Sequence, residues 1–162
     1  MSKPSKAYAL MCNSCNVVGK QSQQHGFTWE NSIRQNVFNL PLQKNDTNIH
    51  DIPKEQNLYN KHENVSIKTT GSSRIDCGDI LRIMNYNNTD KNTIMILFYD
   101  QTSTHKIIRQ IWEMDFNKDL HDYLFGNLPK EVIENYVKGV KSIPTNVKGE
   151  EAKNIFNYLD EK

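Results

Sequence analysis

The chain has 162 residues and a formal net charge of +1, so one domain is expected and a polycationic nucleic-acid-binding protein is excluded. Hydrophobic residues make up 36% of the chain, and no apolar run approaches the length of a membrane-spanning helix. Three cysteines and no signal-peptide-like start predict an intracellular, cytoplasmic protein without a disulfide framework. The 20 asparagines are typical of AT-rich coding in some bacteria, phages and large DNA viruses.

The N-terminal part of the chain gives one clear helical signal. Residues 1–25 are predicted to be a polar, irregular segment. A helix is predicted to follow near residue 27, because Trp29, Ile33 and Val37 recur four residues apart on one face. Pro41 is expected to end this helix.

Two short strands are predicted next. The first is Ile49–Ile52, which Pro53 ends, and an exposed connection follows it. The second is Val65–Thr69, where Ser66 and Lys68 alternate with apolar residues and therefore share one face.

The second half of the chain alternates strands and helices before an all-helical end. A helix is predicted over Asp76–Asn85, a central strand over Thr93–Tyr99 and a further strand over Lys106–Met114. Trp29 and Trp112 are expected in the core. Helices are predicted around residues 118–125, 129–141 and 148–160.

This order predicts an α/β fold with a mixed central sheet of four to five strands flanked by helices. Residues 26–162 are interpreted as one domain. Its core spans 26–115, and its C-terminal helices lie within 118–162.

Charged residues lie on several of these elements in a pattern suited to phosphodiester chemistry. Glu30 is on the first helix, Asp51 ends the first strand and Lys68 is on the second, while Asp76 and Asp79 open the next helix. Magnesium prefers oxygen ligands, usually one or two carboxylates completed by water and substrate phosphate. A nearby lysine can orient or deprotonate water and offset transition-state charge.

The stretch HDIP, followed by ENVSIKTTGSSRIDCGDILRI, resembles the core of the PD-(D/E)XK, or restriction-endonuclease-like, nucleases. In that family a helix bearing Glu precedes a strand ending in Asp, and a strand carrying (D/E)-x-K comes next, before a helix and further strands. Glu30, Asp51 and Lys68 match the Glu, the Asp and the Lys. The resemblance implies a magnesium-dependent DNA endonuclease, most simply of the restriction type, with manganese as a substitute metal.

Ser66 departs from the family pattern, because Asp or Glu is expected two residues before the lysine. One explanation takes the second metal-binding carboxylate from the next helix, with Asp79 preferred and Asp76 as second choice. The other is a degenerate site in a DNA-binding module. A junction-resolving or repair nuclease of the same fold is a further alternative.

Each site residue also has a simpler interpretation. Asp51 suits a turn before proline, and Lys68 suits an exposed strand position. Asp76 and Asp79 suit the first turn of a helix, where acids interact favourably with its dipole. Glu30 is placed to pair with Arg34 one helical turn later.

Partners and further ligands follow from the same resemblance and from short motifs. Double-stranded DNA is the implied substrate, and a homodimer would supply two sites for two strands. Ser66, Ser72 and Arg74 are candidates for substrate binding. Cys12 and Cys15 form half of a zinc motif, but His25, His50, His62 and Cys77 lack the spacing to complete it, so free thiols are favoured over zinc.

Overall fold

The protein is described here by a computed structural model that covers residues 2–12, 15–17, 23–42, 49–86, 89–144, 146–147 and 149–160. Within these residues no helix has the length and apolar character needed to cross a membrane. The helices and strands, in chain order, are α1 (Lys3–Met11), β1 (Cys15–Val17), α2 (Gln23–Asn36), β2 (Glu63–Thr70), α3 (Ile80–Met84), β3 (Lys91–Gln101), β4 (His105–Asp115), α4 (Lys118–Phe125), α5 (Lys130–Lys141) and α6 (Glu150–Asp160).

The strands form one mixed sheet in the order β1-β4-β3-β2. β2 and β3 run parallel, an arrangement that needs a crossover connection, and the chain between them includes α3. β3 and β4 are antiparallel, and β1 pairs with only three residues of β4. The outer side of β2 is therefore an edge of the sheet.

The sheet separates two hydrophobic cores because alternate residues of β3 point to opposite faces. Met95 and Leu97 lie on the face covered by α1 and α2, where they pack with Trp29. Ile94 and Ile96 lie on the other face, among residues of α3, α4 and α5. Burial on both faces explains why β3 is the most apolar run of the chain.

The predicted α/β class is confirmed, and so are the strands that became β2, β3 and β4 and the three C-terminal helices. The sheet is smaller than expected. Only three of its strands, β2, β3 and β4, are long, against the four to five predicted, and β1 adds just three residues at one edge.

Two predictions for the first half of the chain are wrong. Lys3–Met11 is a helix rather than irregular chain, and its Ala7 and Met11 are buried in the first core. Ile49–Ile52 is not a strand, because only Ile52 forms a bridge, antiparallel to Val65. Pro53 follows directly and has no N–H to extend the ladder.

Two further differences concern the second half. α3 begins at Ile80 rather than Asp76, because Asp79 caps it and Gly78 has a positive φ of 79°. Trp29 is buried as predicted, but Trp112 is 57% exposed, so its predicted core position is wrong.

Candidate active site

The candidate site lies at the open edge of β2. Ile52 and Val65 exchange two backbone hydrogen bonds of 2.9 Å, which fixes the preceding residue, Asp51, beside the strand. The Asp51 carboxylate uses this position to accept a hydrogen bond of 2.5 Å from the backbone N–H of Ile67. An otherwise unpaired donor of the sheet edge thus holds Asp51 in place.

Helix α2 brings a second carboxylate to the same place. Trp29 of α2 is buried in the core, and the next residue, Glu30, is half-buried. The Glu30 carboxyl lies close enough to Asp51 for the two groups to affect each other electrostatically. Burial, together with the negative charge of Asp51, raises the pKa of Glu30 from its ordinary value of 4.5 to about 7. Glu30 therefore ionises less readily than an ordinary glutamate because it is partly buried beside Asp51.

Two cations lie near this carboxylate pair but do not neutralise it. Lys68 is half-buried on β2, and its charge acts to lower the pKa of Glu30, as does that of Arg34. Arg34 is 5% exposed, and its Nη1 donates a hydrogen bond to the backbone carbonyl of Asp51. The raised pKa of Glu30 shows that burial and repulsion outweigh both cations.

Ser66 occupies the position where the family pattern has an acid, and it lies in a network of neutral groups. It is buried on the same face of β2 as Lys68. Its Oγ is 3.0 Å from the hydroxyl of Tyr86 and 3.4 Å from Nδ1 of His50. The rings of His50 and Tyr86 are 4.5 Å apart. Burial lowers the pKa of His50, so this network favours an uncharged imidazole.

The two aspartates expected to complete the site have other partners. The Asp79 carboxylate accepts a hydrogen bond from the backbone N–H of Leu81, and it lies 3.8 Å from Nζ of Lys141. Asp76 accepts a 2.8 Å hydrogen bond from the N–H of Gly78. Both residues are exposed and serve the local structure around α3. Among the described residues, no hydrogen bond or ion pair joins either of them to Asp51.

Two expected substrate-binding residues, Ser72 and Arg74, lie on the turn that follows β2. The Ser72 hydroxyl bonds within its own turn, to Thr70 and to the carbonyl of Arg74. The side chain of Arg74 is exposed. They line a separate hollow of about 530 Å³ beyond the end of β2.

Sequence reasoning brought Glu30, Asp51 and Lys68 together, and the structure does so too. It missed the part played by Arg34, His50 and Tyr86. The sequence placed Arg34 one helical turn after Glu30, so its position near the site could be predicted. Its hydrogen bond to the carbonyl of Asp51, 17 residues later, could not. His50 directly precedes Asp51, and Tyr86 becomes a neighbour only through the crossover between β2 and β3.

The donor set fits a hard divalent cation bound by few protein ligands. No group of three or more His, Cys, Asp or Glu side chains is arranged to hold a metal within the described residues. The Glu30–Asp51 pair offers two carboxylates, which is the number magnesium commonly takes from a protein. Cys12 is a half-buried free thiol, and its proposed zinc partner Cys15 has a side chain outside the described part.

Comparisons with protein-family models, with curated proteins and with solved structures found no match to this chain. The functional interpretation is therefore built on the geometry and charge of the site itself.

Proposed function

We propose that this chain hydrolyses phosphodiester bonds of DNA, with Mg²⁺ held by Asp51 and Glu30. The observation that carries the proposal is the pair of interacting carboxyl groups, Glu30 and Asp51, at the edge of β2. The N–H of Ile67 holds Asp51, and the charge of Lys68 acts on Glu30. The pair replaces the set expected from sequence, because Glu30 takes the place of Asp79 as the second metal ligand.

The carboxylate pair fits a divalent cation on electrostatic grounds. Two acids that share a buried site destabilise each other when both are ionised, and here this is expressed in the raised pKa of Glu30. A cation bound between them would remove that repulsion and release the proton of Glu30. When bound, Mg²⁺ would polarise a phosphoryl oxygen and lower the pKa of a coordinated water.

The other residues of the site would position these groups and the substrate. Lys68 would donate to the phosphate or to the attacking water and offset the negative charge that develops there. Arg34 would act as a positioning residue, because it holds the backbone at Asp51 from the buried side of α2. The N–H of Ile67 would orient the Asp51 carboxylate.

The order of elements supports a nuclease of the PD-(D/E)XK kind. The helix bearing Glu30 precedes Asp51 in the chain. The residue after Asp51 forms an antiparallel bridge to the strand bearing Lys68, and α3 and two strands follow. Two departures stand against a close relationship: a single bridge replaces the Asp-bearing strand, and Ser66 replaces the second acid. We therefore propose the chemistry, and treat restriction-type specificity on double-stranded DNA by a homodimer as its most direct form.

Plasmid cleavage tests this function. Supercoiled DNA is incubated with the wild type, with Asp51→Asn and with Glu30→Gln, in Mg²⁺, in Mn²⁺ and in EDTA. We expect cutting that needs the metal and is lost in both variants, while Asp79→Asn cuts like the wild type. Discrete fragments would establish restriction-type specificity. Selective cutting of branched substrates in a parallel panel would establish junction resolution or repair.

A degenerate DNA-binding module is the second candidate, and the neutral network at Ser66 favours it. Ser66 bonds with Tyr86 where the family pattern has a metal-binding acid. This candidate predicts DNA binding by the wild type with no cutting in any divalent metal. It also predicts that Asp51→Asn binds DNA at least as well, because a negative charge has been removed.

A further inference from the structure

The end of the sheet near the 71–76 loop has an open groove of about 580 Å³ on the face that carries Lys68. Helices α3, α4 and α5 bury the rest of this face around Ile94 and Ile96. Trp112 lines the uncovered end and is 57% exposed, which is unusual for the largest side chain of a sheet.

The ring of Phe98 packs against the exposed side chain of Trp112. The Phe98 and Trp112 rings are 5.0 Å apart and meet edge to face, at an interplanar angle of 62°. Such a contact is favourable, and it leaves more than half of the Trp112 side chain exposed. The result is a rigid aromatic surface on a strand rather than on a loop.

A β-bulge adds a cation to the same groove. Phe98 pairs with Gln110 and Tyr99 pairs with Ile108, so Arg109 has no partner on β3. Bulges turn a side chain away from strict alternation. Arg109 and Gln110, although consecutive, both line the groove with Trp112.

The positive charge of Arg109 is poorly compensated. Its guanidinium is 3.7 Å from the Asp100 carboxylate, and both side chains are more than half exposed, so water and salt weaken the pair. Glu113, which also borders the groove, lies 3.4 Å from Nζ of Lys3. A ligand with negative charge would therefore be attracted to the Arg109 side.

The register of the sheet connects this groove to the candidate active site. Lys68 pairs with Ile96, and Ile96 pairs with Trp112, so the three residues form one row across β2, β3 and β4. Paired residues point to the same face, and neighbouring strands are about 4.8 Å apart. Lys68 and Trp112 therefore lie on one face with their Cα atoms about 10 Å apart.

We propose that this groove binds an unpaired base of a DNA strand, stacked on Trp112, with a flanking phosphate at Arg109. Stacking on an aromatic side chain beside a cation is how proteins hold single-stranded nucleic acid without sequence preference. The polar groups of Ser72, Ser73 and Gln110 at the groove wall suit a base edge rather than a purely apolar partner. The inference rests on the proposed function and adds to it a substrate that has unpaired nucleotides next to the bond at Lys68.

Oligonucleotide binding in EDTA tests the groove without cleavage. The probe is oligothymidylate, followed by tryptophan fluorescence and by the anisotropy of a labelled strand. Trp29 is 1% exposed, so quenching should report Trp112 and disappear in Trp112→Phe. Trp112→Ala should bind roughly 5- to 150-fold more weakly, the range of one base–aromatic stack. Arg109→Gln should reduce the salt dependence of log K by about 0.7.

The control is Tyr123→Ala, which removes an aromatic side chain that is 85% exposed on α4, away from the groove. It should bind like the wild type. Arg109→Gln and Tyr123→Ala should melt like the wild type, because both side chains are more than half exposed. Trp112→Ala loses its ring contact with Phe98, so binding is compared at a temperature where every variant is folded. Equal binding by Trp112→Ala and the wild type would overturn the proposal. So would sedimentation showing a dimer that Trp112→Ala dissociates, because a second copy would then occupy the groove.

The outcome separates the groove from the nuclease activity. Metal-dependent cutting with no effect of Trp112→Ala on binding would leave the proposed function and overturn the groove. Trp112-dependent binding by a wild type that cuts no substrate would leave the groove and overturn hydrolysis.

Discussion

Strand β2 has a buried carboxylate, Glu63, at its start and a carboxylate pair, Glu30 and Asp51, at its open edge. The surroundings of Glu63 lower its pKa, whereas those of Glu30 raise it. Glu63, the first residue of β2, is 2% exposed and lies 2.5 Å from Nζ of Lys3 and 3.2 Å from Nζ of Lys91. Thr93 and Asn57 add hydrogen bonds to its carboxylate. Burial alone would raise the pKa of Glu63, but these donors lower it overall.

Glu30 meets the reverse situation. Another acid, Asp51, raises its pKa, and the cations Lys68 and Arg34 do not bring that pKa down to the ordinary value. A carboxylate surrounded by donors stabilises the native state when charged. The Glu30–Asp51 pair, to which the N–H of Ile67 donates one hydrogen bond, is better suited to bind a cation from solution. The comparison assigns Glu63 to the fold and Glu30 to the site.

Asp51→Asn should have the largest effect. The substitution keeps the shape of the side chain but removes the charge that would hold the metal. We expect the cleavage rate to fall about 100-fold or more, because metal stabilisation of the transition state contributes several kcal/mol. Single-turnover cleavage of a plasmid in Mg²⁺ measures this. Asp79→Asn, an N-cap change that is nearly neutral for stability, is the matched control.

Glu63→Gln should affect the fold and leave the site intact. Removing the charge leaves Lys3, which is 8% exposed, without its main partner. Breaking a buried ion pair on one side costs about 3 kcal/mol. For a chain of this length that corresponds to a fall in Tm of roughly 6–12 °C, measurable by calorimetry. Cleavage at a temperature where the variant is folded should match the wild type. An unchanged Tm would contradict the structural role given to Glu63.

Lys68→Met should reduce the cleavage rate by about 100-fold, the lower end of the effect expected for one charge-stabilising group. The positive charge of Lys68 lowers the pKa of Glu30, so its removal should raise that pKa further. The rising part of the rate–pH profile should therefore move to higher pH. A uniform loss at every pH, with no movement of the profile, would show that Lys68 and Glu30 do not interact.

Glu30→Gln should produce a smaller effect, seen in the stability of the metal-free protein. The pKa of Glu30 is raised from 4.5 to about 7 on folding, so the folded state binds the extra proton. Its contribution to stability is complete below about pH 4.5 and is lost as pH rises through 7. In EDTA the variant should melt like the wild type at pH 5 and above it at pH 8. Mg²⁺ should stabilise only the wild type. Parallel melting curves across this range would contradict the raised pKa.

The parts of the fold that sequence predicted are those with a strong local pattern. The run Thr93–Tyr99 is apolar on both faces and became the central strand, and Trp29, Ile33 and Val37 form the buried stripe of α2. The sequence of α1 shows no such apolar stripe, because one of its three buried residues is the charged Lys3. That buried lysine is stabilised by Glu63, 60 residues later, and by Glu113, neither of which is close to it in sequence.

The site was predictable to the extent that element order limits where strands and helices meet. Glu30, Asp51 and Lys68 followed from that order. Asp79 caps α3 in the structure, and a helix-capping acid and a metal-binding acid look the same in a sequence. Trp112 was expected in the core because large aromatic side chains are usually buried, but it lies at an end of the sheet that the helices leave open.

Binding of Mn²⁺, followed by the electron paramagnetic resonance of the free ion, tests the central claim most directly. The wild type, Asp51→Asn and Glu63→Gln are titrated at pH 7.5 without DNA. The Glu30–Asp51 site predicts one saturable site per chain that is lost in Asp51→Asn, kept in Glu63→Gln and weakened as pH falls below 7. Equal binding by wild type and Asp51→Asn, or no saturable binding by the wild type, would contradict the assignment of this carboxylate pair as a metal site.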